Sequence, residues 1–135
     1  MARLRRFAVC LACAALALSA TDCSRQDARL EQHKKKFESL GATTAFTIDV
    51  WLAGEVSGTY TRTALETTFQ LVEQERSALA KAPRALQDPR GAALSERSER
   101  LSRVLADLIS DVSNANGASA RQHVRQIPIR PPEPQ

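Results

Sequence analysis

Three cysteines, two histidines and a scatter of acidic residues are where chemistry could reside in this 135-residue chain, and their spacing permits little of it. Cys10 and Cys13 make a Cys-x-x-Cys, the spacing of redox and zinc sites, but both stand inside the uncharged run from Phe7 to Ala20, where neither use is expected. His33 and His123 lie near opposite ends, and only Cys23 remains outside that run, so no metal-ligand spacing is present. Asp107 and Asp111 are four apart and would project from one helix face as a carboxylate pair. Leu108 and Val112 beside them point to a core, which leaves the two aspartates flanking it in water. No nucleophile elbow, phosphate-binding loop or dinucleotide fingerprint occurs. The sequence therefore predicts no cofactor, no metal and no enzymatic site.

Asp49 is the acid with the least ordinary setting, between Ile48 and Val50 and beside Trp51. A carboxylate forced into apolar surroundings shifts its pKa or acquires a partner, which is how many functional sites are built. Asp49, Trp51, Tyr60 and Arg62 form the candidate interaction surface. An enzyme or ligand-binding bundle would need these four to converge on a concavity, whereas an acid on the wet face of an amphipathic helix would leave them spread over the exterior.

Cys23 is the residue whose surroundings suggest chemistry done to the protein. Arg3, Arg5 and Arg6 precede the Phe7 to Ala20 run, which ends in small residues and passes into Thr21-Asp22-Cys23. A basic flank, a short apolar core and a small-residue exit form the pattern of a secretory signal peptide. As a helix those fourteen residues would reach about 21 Å, short of the roughly 30 Å hydrocarbon core. With a cysteine directly after it, the segment resembles that of bacterial lipoproteins. The resemblance covers the N-terminal segment alone. It implies cleavage before Cys23 and acylation of that residue, and hence a tether on the periplasmic face of the cell envelope. That family carries Leu, a small residue and then Gly or Ala before its cysteine, where Ala20, Thr21 and Asp22 stand here. Ordinary cleavage after Ala20 or Ala17 would instead leave Cys23 as a thiol.

Export changes the meaning of the charge. The formal net charge is +4, and removing the first twenty residues takes three arginines and no acid, leaving 16 basic against 15 acidic residues. The one dense basic cluster left is His33-Lys34-Lys35-Lys36, which reads as a solvated helix face. Nucleic acid is not an expected partner.

Composition and periodicity predict an all-α fold of three or four helices as a hairpin or bundle. The expected organisation is a cleaved signal at 1–22, a helical domain at 23–115 and a flexible proline-rich tail at 116–135. Leu65, Phe69, Val72 and Leu79 share one helix face, and Leu101, Leu105, Leu108 and Val112 another, the latter reaching back to Leu94. Pro83 should end the first helix near Ala82, and Asp88-Pro89 should cap and open the second. So short a connection folds them back antiparallel. A polar helix is expected from Asp27 to Leu40, with Gly41 available to end it. At 43–57 two periods compete. A third helix is preferred, and the alternative is α+β, with a small β-hairpin at 44–63. Gly54 and Gly58 mark a break, and Thr63-Ala64-Leu65-Glu66 has the form of a capping box.

These readings converge on a small exported envelope protein, anchored through Cys23 and engaging a protein partner through a non-catalytic helical surface. The alternatives are a soluble periplasmic or secreted helical regulator, differing only in the fate of Cys23, and a small enzyme or ligand-binding bundle.

Overall fold

The computed structural model describes the backbone of residues 2–128 and the side chains of residues 25–128 except Pro83. Its fold is all-α: α1 (Ala2–Leu52), α2 (Gly58–Ala80), α3 (Pro83–Gln87), α4 (Pro89–Ser113) and α5 (Gly117–Val124), with no strand among the described residues. Residues to Gln32 form one unit, all of it within α1 from Ala2 on. His33 onward forms a second, compact unit.

The second unit is built from three long helical segments running up, down and up. His33 and Lys36 of α1 meet Glu75 of α2, while Trp51 lies beside Gly58, so the two helices are antiparallel. Ser102 of α4 meets Glu73 of α2, and Val112 lies beside Gly58, so α2 and α4 are antiparallel as well. Buried positions on α2 recur as Thr61, Leu65, Thr68, Val72, Glu75 and Leu79, and on α4 as Gly91, Leu94, Ser98, Leu101, Leu105, Leu108 and Val112. Steps alternating between three and four residues are the seam of interlocking helices. Each fully buried leucine on these seams contributes about 1.5 to 3 kcal/mol.

Three seam threonines sit in the interior without loss. The Thr44, Thr61 and Thr68 hydroxyls donate to the carbonyls of Leu40, Ser57 and Ala64 at 2.8, 3.0 and 2.9 Å. Such back-bonding satisfies the hydroxyl and leaves the methyl for packing. Hence Thr68 is buried, and Phe69, expected on that stripe, is half-buried.

The hairpin expectation holds at its turn. Asp88 caps α4, accepting the Arg90 N–H at 2.8 Å, and Pro89 takes the first turn. The segment 44–63 is not a β-hairpin: α1 runs to Leu52 and α2 begins at Gly58. Gly41 does not end a helix. It is a buried position inside α1, between Phe37 and Thr44, and burying that face outweighs the roughly 1 kcal/mol a mid-helix glycine costs. The break falls at Gly54, whose φ is 77°. There Glu55 N–H donates to the Val50 carbonyl and Gly54 N–H to that of Trp51, a Schellman ending. Thr63 caps nothing: Ser57 is the N-cap of α2, and the Thr63 hydroxyl donates to Thr59 within the helix.

Part of the stretch expected as a flexible tail from residue 116 is helical. Asn116 caps α5, and Ala120, Val124 and Ile127 are buried, because α5 folds back along α4. The proline-rich run from Ile129 lies outside the described residues.

Candidate functional site

Glu75 is one of two buried acids among the described residues, 8% exposed on the seam of α2. A carboxylate there is tolerable only with its charge compensated. Oε1 stands 2.5 Å from Nδ1 of His33, one turn before Lys36, whose Nζ donates to Oε2 at 3.0 Å. With Glu75 ionised, the proton of the first contact belongs to Nδ1. Both carboxylate oxygens thus face cationic or proton-bearing groups of α1, which fixes the register of α1 on α2.

Asp111, also 8% exposed, makes the same kind of contact at the other end of the bundle, with Nδ1 of His123 at 2.7 Å. It does not flank the core in water as expected, because α5 folds back and brings His123 over it. Asp107 remains exposed. A third acid, Glu73, accepts from the Ser102 hydroxyl at 2.5 Å and from Arg76 at 2.7 Å. Its partial burial would push the carboxyl up, but Ser102 and Arg76 outweigh that and hold it below the usual carboxylate range. All three acids bridge or brace helices.

Beside Glu75 the surface between α1 and α2 opens into a groove of about 320 Å³, lined by Lys36, Ser39, Leu40, Leu71, Gln74 and Glu75. It shares no residue with the expected interaction set. Asp49 is exposed, Trp51 is half-buried against Gly58, and Tyr60 is 63% exposed with its backbone N–H on the Ser57 hydroxyl. Arg62 is exposed, its Nε 3.7 Å from Glu66. Asp49, Tyr60 and Arg62 stand on the exterior and Trp51 is partly covered, all about the turn from α1 into α2 and none of them in that groove. Phe46 on α1 is 67% exposed, and Leu71, which lines the groove, is 47% exposed.

Sequence reasoning missed Glu75, His33 and Asp111 because each partner lies on another helix, at separations of 42 and 12 residues. The available signal was an acid on an apolar stripe: Glu75 stands at the step between Val72 and Leu79. Cys23 lies outside the residues whose side chains are described. Among the described residues no cluster of three or more His, Cys, Asp or Glu is placed to hold a metal, and no helix is long and apolar enough to cross a membrane.

Comparison with known proteins gives no relative: no family model, curated protein or solved structure matches the chain.

Proposed function

We propose that this chain is a lipid-anchored envelope protein whose helical bundle is a non-catalytic interaction module. Export through the N-terminal segment brings it to the periplasmic face, acylated Cys23 holds it at the membrane, and the bundle presents a surface to a protein partner. The observation that carries the reading is the exposure of two aromatic side chains, Phe46 and Tyr60, on a bundle whose buried acids are engaged in fastening helices. Exposed aromatics are strong anchors in protein interfaces, since one ring buries a large area at small entropic cost.

Membrane fractionation with a pull-down tests the reading. The tagged protein should sediment with membranes and resist a salt wash, because an acylated terminus with two or more chains exceeds the marginal hold of one. Cys23→Ser should release it or leave an uncut precursor. Tyr60→Ser should reduce partner recovery without changing the helical spectrum. Recovery that is indifferent to Tyr60 and Phe46 together would overturn the proposed surface.

A further inference from the structure

Behind its buried stripe, α1 carries a second row of regular spacing. Lys35, Ser39, Ala42, Phe46 and Asp49 recur at steps of four, three, four and three, and all five are exposed. The spacing is that of a seam between paired helices, here turned to the outside. Its composition is self-complementary about Ala42. Lys35 stands seven residues before it and Asp49 seven after, and Ser39 and Phe46 stand three before and four after.

We propose that this outer face of α1 is a homodimer interface, in which two copies pair antiparallel about Ala42. The inference rests on reading the bundle as an interaction module, names a second copy of the chain as the partner, and is independent of acylation at Cys23. Antiparallel pairing places Lys35 of each copy beside Asp49 of the other. It also lays the Phe46 ring, 67% exposed in the single copy, over Ser39 of the other. Ala42 meets Ala42 at the two-fold axis, where small side chains let two helices approach closely. Parallel pairing would set lysine against lysine and aspartate against aspartate, so the charges choose the orientation. Such an interface is isologous and closes at two copies.

The test is a cross-link in the full chain with Cys10, Cys13 and Cys23 replaced by Ser. On a two-fold axis, Ala42→Cys faces its own equivalent within disulfide reach, so mild oxidation should convert most of the protein to a dimer on a non-reducing gel. Thr59→Cys, exposed on α2, should stay monomeric. Lys35→Glu added to Ala42→Cys sets like charges together twice and should lower dimer yield about tenfold. The double exchange Lys35→Asp with Asp49→Lys should restore it. Circular dichroism of each variant should match the parent, since all these positions are exposed. Monomeric Ala42→Cys, or a double exchange no better than Lys35→Glu alone, would overturn the dimer. Either result combined with Tyr60-dependent capture of another envelope protein would leave the interaction module standing and remove only the second copy as its partner.

Discussion

The space a side chain would take at Gly91 is filled by Ala85: a Cβ there would lie 1.8 Å from the Ala85 carbonyl oxygen. Gly91 is buried in the first turn of α4, where α3 folds back against it, so the chain reversal between α2 and α4 depends on the missing methyl. Gly91→Ala must push backbone aside. It should cost about 1 to 3 kcal/mol in urea unfolding, although alanine is the better helix former. A neutral or stabilising result would mean that α3 moves freely.

The opposite substitution should help at the end of α4. Ala115 has φ 51°, and the bonds Asn116 N–H to the Asp111 carbonyl and Ala115 N–H to that of Val112 form a second Schellman ending. A left-handed residue other than glycine is strained by about 1 to 2 kcal/mol, part of which glycine returns through its freer unfolded chain. Ala115→Gly should stabilise by about 0.5 to 1 kcal/mol. A lower melting temperature would contradict this.

The contact of His33 with Glu75 should be measurable as a coupling. Glu75→Ala leaves the interior without its carboxylate and strips both partners on α1, for a loss of about 2 to 4 kcal/mol. A double-mutant cycle of Glu75→Ala with His33→Ala should return a coupling of about 1 kcal/mol or more. Additive losses would show that the two side chains do not hold α1 to α2.

Glu73 gives a pH dependence with a definite sign. Its folded carboxyl lies below the 4.5 of the free side chain, so the folded state favours the ionised form. The stability it contributes is fully present above that value and is lost as pH falls through the lower, folded value. The gap in denaturant midpoint between the parent and Ser102→Ala should therefore be constant above about pH 5.5 and narrow below about pH 4. A gap that widens on acidification would contradict the role given to Ser102.

How far the sequence could be read follows from what kind of interaction decides each element. The α2–α4 hairpin was legible because Leu65, Val72, Leu79, Leu101, Leu105 and Leu108 are apolar at one period and Asp88-Pro89 is a local cap. The continuity of α1 through Gly41 was not, since it depends on burial against other helices and opposes the local preference. α5 was missed for a related reason: Ala120, Val124 and Ile127 are too few to make a stripe, and their burial needs α4 in place. Thr44, Thr61 and Thr68 read as polar, although back-bonding turns each into a packing residue. At the candidate site, Asp49 could be read as an acid on the wet face of a helix, whereas the sequence left open whether Tyr60 and Arg62 converge with it or scatter. The Glu75 and Asp111 contacts, made between helices, could not be read.

Mass spectrometry of the N-terminus of protein recovered from membranes tests the central reading most directly. The lipid-anchored reading predicts a chain beginning at Cys23 and carrying acyl groups on that residue, with no peptide from before it. An unmodified start at Thr21 or Leu18 would contradict it, leaving a freely exported bundle with a thiol near its N-terminus.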